Sequence, residues 1–423
     1  MAKDSESFKL LQWSPDSRRL FDLRTLWLGG SNEHSKVEYA IESRRPERGG
    51  AVPIVSYSIA SDFPDWRGGG SFCVLADERV IYTRSMSAVS MAGNDDTNLW
   101  EVKVKSGTGE TQGGPHQLTY WIGRHLDHLS VSRDGKTLVL QKSNWQLHTY
   151  LGDVGPGAGM RPLRRLTLED SDDLPYSWTR DSRAIIFTSD RAGAYRLYKQ
   201  AIDEKEGKGI TNGGYVTDQA VLSPDGQWII YNTEPQGGHP PRLMRIATSG
   251  GAPHVIIETR LTAQVHCPSA PATRCITLEE RQPHVFGSLD PIDGNYRELF
   301  KLPFWNGGWA VSPRGSIGIL RQDSYGGRLQ ILSESGSLQR EVKLAPWSNF
   351  SGLDWSADPD EVYTLSVGPA GATILRVSLS GQIEPLWLLE GRQVGWVVAA
   401  PNGQHVAVMG KSSYSNAWLL EGF

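Results

Sequence analysis

Apolar and polar positions along the chain fall into short alternating runs broken by Gly, Pro, Asp and Ser. The pattern is clearest from Gln219 to Glu258. There the apolar runs Ala220–Leu222, Trp228–Asn232, Leu243–Ile246 and Val255–Ile257 are separated by punctuation such as Ser223-Pro224-Asp225-Gly226 and Ser249-Gly250-Gly251. Short β-branched runs bounded in this way predict antiparallel hairpins. One four-stranded meander cannot bury both of its faces, so it needs neighbours of its own kind.

Those neighbours are present. The turn after the first strand recurs with its centre near Asp16, Asp77, Asp134, Asp181, Asp225, Ala272, Arg314, Asp358 and Asn402, and from Asp134 onward the interval is 42 to 47 residues. Three residues before each centre stand Trp13, Val74, Val131, Trp178, Leu222, Ser269, Val311, Trp355 and Ala399, apolar except for Ser269. An all-β repeat of this period predicts a β-propeller of four-stranded antiparallel blades. Eight blades are expected, with seven or nine as alternatives. The last unit, Trp396–Phe423, supplies three strands, and Val52–Ile59 is expected to complete it and close a propeller over 52–423. Residues 1–51 read as an irregular N-terminal segment or a decayed blade.

Composition agrees with a turn-rich β protein: 39% hydrophobic residues, 15 Trp and 46 Gly among 423 residues. A formal net charge of -4 and the lack of a dense Lys/Arg run disfavour nucleic acid as a partner. No stretch reaches the length of a membrane span and the N-terminus has no signal-like apolar run, so the chain as written is expected to be cytoplasmic, without direct membrane insertion. Three Cys are too few for a disulfide framework. Cys267 and Cys275 flank a Pro-rich turn and are candidates to pair if the chain is exported, or to stay reduced in a cytosol. Cys73 reads as a small hydrophobe inside a strand.

The turns WSPDS (Trp13–Ser17), SRDG (Ser132–Gly135), WTRDS (Trp178–Ser182), SPDG (Ser223–Gly226), SPRG (Ser312–Gly315), WSADP (Trp355–Pro359) and APNG (Ala400–Gly403) resemble those of TolB-like, WD-repeat-related β-propellers. The likeness covers roughly 62–423. The segments Arg165–Asp203, Arg242–Ile256, Cys267–Cys275 and Asn416–Phe423 further resemble the propeller half of bacterial membrane-anchored serine/threonine protein kinases and winged-helix regulators. That resemblance implies a sensory or interaction role and an extracytoplasmic location. The chain departs from the plan of those proteins in having neither output domain nor membrane helix.

Few motifs carry chemistry. The glycine-rich loop, strand Lys, HRD and DFG motifs of a kinase are absent, as is the G-x-S-x-G elbow of a propeller-capped serine peptidase. Gly410-Lys411-Ser412 imitates the end of a phosphate loop, but His405 stands where that loop needs glycine. No cofactor is expected. His125 and His128, around Asp127, are weak metal candidates, because residues three apart on a strand point to opposite sides. Asp62, Asp65, Asp127, Asp170, Asp172, Asp173, Asp218 and Asp354 precede the first strands of their units. They are expected to gather as an acidic rim at one mouth of the ring and to bind a cation or basic ligand. The plainer alternative is that Asp is common in turns. Trp178, Trp228 and Trp355 read as core, and Trp305 and Trp309 as loop residues that are candidates for a surface patch. The function expected is non-enzymatic: a scaffold for a protein or small-molecule ligand. The alternative is a propeller enzyme, a metal-assisted lyase or hydrolase acting on carbohydrate or peptide in the central channel.

Overall fold

The structure is a computed structural model. It describes residues 5–28, 36–47, 50–60, 70–85, 97–105, 107–121, 125–155, 162–212, 216–233, 241–258, 263–279, 283–303, 307–323, 326–390 and 393–423. The chain divides into two compact units, Met1–Trp145 with Ser413–Phe423, and Gln146–Ser412. Both are all-β.

The first unit carries β1 (Ser5–Trp13), β2 (Leu20–Leu28), β3 (Lys36–Arg44), β4 (Val52–Ala60), β5 (Phe72–Val74), β6 (Arg79–Ser85), β7 (Thr97–Val104), β8 (Thr111–Gln117) and β9 (His125–Val131). The unit boundary falls inside β10 (Thr137–Asp153). The second unit continues with β11 (Arg164–Arg165), β12 (Asp173–Trp178), β13 (Ala184–Ser189), β14 (Arg196–Ala201), β15 (Lys208–Gly209), β16 (Val216–Leu222), β17 (Trp228–Thr233), β18 (Arg242–Ala247), β19 (His254–Glu258), β20 (Ala263–His266), β21 (Cys275–Glu279), β22 (His284–Leu289) and β23 (Tyr296–Leu302). It ends with β24 (Trp309–Val311), β25 (Ile317–Asp323), β26 (Gly326–Leu332), β27 (Leu338–Lys343), β28 (Phe350–Trp355), β29 (Glu361–Gly368), β30 (Gly371–Ser378), β31 (Ile383–Glu390), β32 (Gln393–Ala399) and β33 (His405–Glu421), inside which the second boundary lies.

In the second unit β12–β15, β16–β19, β20–β23, β24–β27 and β28–β31 are antiparallel four-stranded meanders, and a sixth sheet runs β32-β33-β10-β11. Six apolar clusters join them. One of these places Leu151 and Leu166 of the sixth sheet's side against Trp178, Ile185 and Phe187 of the first meander, so the six sheets close on themselves. This is a β-propeller. Its closing strands are β10 and β11, from before the first meander. That corrects the expectation for Val52–Ile59: this stretch, as β4, pairs with β3 instead, Tyr57 opposite Tyr39. The physical reason is local. β1–β4 form their own hairpin-linked meander, which uses the edge that β4 offers.

Among the described residues the ring therefore holds six blades within Gln146–Ser412 rather than eight over 52–423. Residues 1–51 supply three regular strands of a further sheet. The first unit contains the sheets β1–β4 and β5–β8 and a third in which β9, the start of β10 and the end of β33 lie side by side. Two clusters join these three sheets. One packs Phe21, Leu23 and Ile41 on Phe72, Val80 and Tyr82, and the other packs Ile81 and Leu99 on Leu126, Leu138 and Leu140.

The recurrent turn has one geometry. In Ser223-Pro224-Asp225-Gly226, the Ser223 hydroxyl bonds to the Asp225 carboxylate, which accepts the Gln227 N–H at 3.0 Å, while Ser223 Oγ accepts the Trp228 N–H at 3.0 Å. Asp134 and Asp181 repeat it with Ser132 and Thr179. These side-chain and backbone hydrogen bonds hold the carboxyls of Asp134 and Asp181 below the usual range. The next residue adopts the left-handed region, with φ of 57° at Ser182, 70° at Glu78 and 72° at Gly226, a conformation in which Gly carries no side-chain penalty. In the most degenerate unit the turn has no Asp. A disulfide between Cys267 and Cys275, at a Cα–Cα distance of 4.2 Å, holds that hairpin instead.

Candidate functional site

The inner strands of the second unit, β12, β16, β20, β24, β28 and β32, carry its polar network. Irregular register marks most of them: one additional residue bulges between Pro175 and Ser177, between Ser351 and Leu353, and between Val394 and Val397, and two additional residues stand between Val216 and Ala220. Bulges re-aim side chains along a strand, and here the re-aimed groups reach the next blade. Ser177 donates to the Ala220 carbonyl at 2.6 Å, and the Gln219 side chain accepts the Val265 N–H at 2.7 Å. The Trp309 indole donates to Gln264 at 2.5 Å. Ser351 donates to the Gly395 carbonyl at 2.6 Å. At the closing junction Trp396 donates to the Pro175 carbonyl at 2.6 Å and Trp178 to that of Val398 at 3.0 Å. Between β24 and β28 the backbones themselves meet, and a Cβ on Gly308 would stand 2.8 Å from the Gly352 carbonyl carbon.

Two acidic positions join this belt. Asp354 accepts the Ala399 N–H and its neighbour Trp355's N–H, each at 2.8 Å, and desolvation pushes its carboxyl up to about 6 against both bonds. Asp172 is buried and accepts the Leu147 N–H at 2.7 Å and the Tyr195 hydroxyl at 3.3 Å. Burial pushes its carboxyl up to about 7, outweighing the Leu147 bond, with Asp190 adding repulsion. Asp173, also buried, takes a 2.8 Å bond from Arg191.

The proposed acidic rim is thus not one surface. Asp172 and Asp173 are inside the fold, Asp170 is exposed on a bend, and Asp354 reaches across to β32. Asp127 belongs to the first unit. Asp62 and Asp65 lie outside the described residues, as does the side chain of Asp218. His128 sits in a bulge of β9 with φ 53°, which breaks the strand alternation and brings its ring to 3.8 Å from Asp127, while His125 lies at 4.0 Å from the same carboxylate. Among the described residues no group of three or more His, Cys, Asp or Glu is arranged to hold a metal.

Trp178 and Trp355 are buried, as their spacing implies, whereas Trp228 is half-buried and carries the Arg245 guanidinium 4.8 Å above its ring. Trp309 opens β24 and is 3% exposed, which corrects its reading as a surface residue: its indole fills the wedge beside Phe286 and His266. Trp305 is outside the described residues. Cys73 is a buried free thiol that burial pushes up to about 12. Gly410-Lys411-Ser412 is part of β33.

Sequence reasoning missed Ser177, Gln219, Gln264, Ser351 and Trp396. Their only signal is position ahead of the recurrent turn, where, except at Gln264, the alternation is interrupted by a bulge that no single residue type announces. It also missed a groove of about 420 Å³ at the outer side of the second unit. Leu166, Leu168 and Ile202 line it together with Arg164, Arg165, Asp203, Glu204 and Lys205. Arg164 is tied to the Ile202 carbonyl at 2.6 Å.

No helix among the described residues is long and apolar enough to cross a membrane. No protein-family model matches the chain, and no curated protein matches it. Solved structures do. A TolB from Agrobacterium tumefaciens is 16% identical, with a TM-score of 0.52, and the match covers 64% of this chain and 99% of that one. An oligogalacturonate lyase in complex with manganese is 13% identical, with a TM-score of 0.40 over 66% of this chain and 76% of the other. A puromycin-hydrolysing peptidase of Mycobacterium tuberculosis is 15% identical, with a TM-score of 0.40 over 75% and 52%. Of these likenesses the first carries the fold alone: the chain contains a β-propeller similar in fold to that of the Agrobacterium tumefaciens TolB structure.

Proposed function

We propose that the chain is a non-enzymatic binding scaffold for a protein or small-molecule ligand, the sensory or interaction part of a bacterial signalling system. The observation that carries this reading is the use of the inner-strand polar groups. Ser177, Gln219, Gln264, Ser351, Asp354, Trp178 and Trp396 bond neighbouring strands. Groups held in such bonds stiffen a ring but are not available as a nucleophile, acid or base, so recognition passes to loops and outer strands, which vary without disturbing the blades.

The groove at Arg164–Leu168 and Ile202–Lys205 suits that role. It offers apolar floor and both signs of charge, and its volume lies in the range of ligand sites. The resemblance of Arg165–Asp203 to kinase-associated propellers supports the signalling assignment. The disulfide Cys267–Cys275 supports an oxidising compartment.

The test compares the parent chain with Leu168→Asp, a change at an exposed groove residue. Partners recovered by the parent from its native extract, and lost with Leu168→Asp while those bound elsewhere remain, support the proposal. Turnover in a screen of glycans and peptides, lost on His125→Ala or His128→Ala and accompanied by bound metal, overturns it in favour of a metal-assisted enzyme.

A further inference from the structure

The third sheet of the first unit differs from every other described sheet in its outer edge. Elsewhere the third strand is covered by a fourth. Here the third position is taken by the Ser413–Glu421 part of β33, which has β10 on one side. On its other side β32 pairs only as far as Lys411, and among the described residues no strand continues beside Ser413–Glu421.

This edge is held in place. Ser415 Oγ bonds Gln141 and lies 3.1 Å from Ser143 Oγ; the Lys142 ammonium sits 4.5 Å from the Trp418 ring centre; Leu420 packs on the cluster that contains Leu138 and Leu140. It is also bare, with Tyr414 64%, Trp418 47% and Leu419 68% exposed.

Open edges are normally blunted with charge, Pro or bulges. The fourth strands that end the other sheets carry such residues at their own outer edges: Pro115 in β8, Arg297 and Glu298 in β23, Arg340 and Glu341 in β27, Pro385 and Glu384 in β31. From Ser412 to Leu420 there is no charged residue, no Pro and no Gly.

We propose that this edge is an interface at which β33 pairs antiparallel with β33 of a second copy of the chain. The charge pattern selects that occupant. Around a two-fold axis a charged side chain near the centre meets its own copy, so a self-pairing edge must be uncharged there. A strand that recruits a charged partner segment would instead carry complementary charges.

Centred on Ala417, the pairing sets Tyr414 opposite Leu420 and Ser415 opposite Leu419 of the second copy. It also brings the two Trp418 rings to the diagonal cross-strand position, about 7–8 Å apart, which aromatic side chains bridge. The contact is isologous and closes at two copies, so it does not propagate.

Sedimentation velocity of the full chain over a dilution series tests this. The parent sediments as a dimer. Ala417→Lys and Leu419→Lys sediment at half that mass with unchanged far-UV circular dichroism, whereas Leu338→Lys, on the exposed outer strand of another sheet, remains dimeric. Ala417→Cys forms a disulfide-linked dimer on mild oxidation, and Leu338→Cys does not. A parent that stays monomeric throughout overturns the proposal, including one that instead captures an extended peptide at this edge. So does a dimer that survives both lysine substitutions.

Discussion

Among the described residues the second unit has six sheets and six apolar clusters, whereas the first has three sheets and two. Both are built from the same antiparallel meander and the same Ser/Thr-x-Asp turn. A closed ring buries both faces of every sheet, so each inner-strand side chain finds a neighbouring blade. In the first unit, among the described residues, apolar packing joins β1–β4 to β5–β8 and β5–β8 to the third sheet, and no described sheet of that unit lies against the remaining face of β1–β4 or of the third sheet. Trp13, at the position that Trp178 occupies in the second unit, is 52% exposed, while Trp178 is 2% exposed and donates to Val398. The outer face of β1–β4 is finished instead with ion pairs, Arg24 to Glu42 at 2.6 Å and Arg44 to Asp22 at 2.8 Å. The same motif residue is therefore core in one place and surface in the other, and closure decides which.

The largest effect should come from attacking closure at that equivalent pair. Trp178→Ala removes a buried ring and an indole bond, and is expected to cost about 3–5 kcal/mol; Trp13→Ala should stay within about 0.5 kcal/mol. Denaturant unfolding monitored separately in the two units checks the contrast, and equal losses would remove it. Next comes the blade whose hairpin is held by the disulfide. The disulfide closes a separation of 8 residues, and Cys267→Ser should cost roughly 2.5 kcal/mol by loop entropy. A reducing agent should lower the melting temperature of the parent but not of the variant.

Asp172 sharpens the comparison through pH. Asp172→Ala leaves the buried Leu147 N–H unpaired, at about 1–3 kcal/mol. The parent should also lose stability as pH rises. Burial raises the Asp172 carboxyl to about 7, above its unfolded value, so the stabilisation by the neutral acid is complete at low pH and gone once pH passes about 7. Asp172→Asn keeps an acceptor for Leu147 without the charge, and melting temperatures measured across that interval should fall less steeply than in the parent. The smallest effect lies in the turns. Ser17 holds φ at 57°, and Ser17→Gly should change stability by under about 1 kcal/mol, relief of the left-handed strain offsetting added chain entropy. Ser182, at the equivalent position of the second unit, also accepts the Asn402 N–H at 3.0 Å, so Ser182→Gly should be destabilising. Thermal unfolding of the two variants decides the sign.

Blade identity was legible in the sequence because it is local. Apolar runs of period two, an Asp whose carboxylate caps its own turn, and a residue at positive φ are properties of ten adjacent residues, and they recur wherever the blade recurs. Core positions such as Trp355 followed from the same local frame; for Cys267 and Cys275 that frame gave only a candidate pair and left open whether they are joined. What tertiary structure alone decided was which sheet each strand joins and which face of it is covered. β4 has the apolar alternation of a closing strand, yet it pairs with β3; β10 and β33, far apart in sequence, lie side by side and finish the ring. Asp172 reads as a rim carboxylate until Leu147 and Tyr195 enclose it. Edge pairing is satisfied by any strand of suitable length, so the backbone bonds carry no address. Only the packing of whole sheets, summed over the ring, selects one partner.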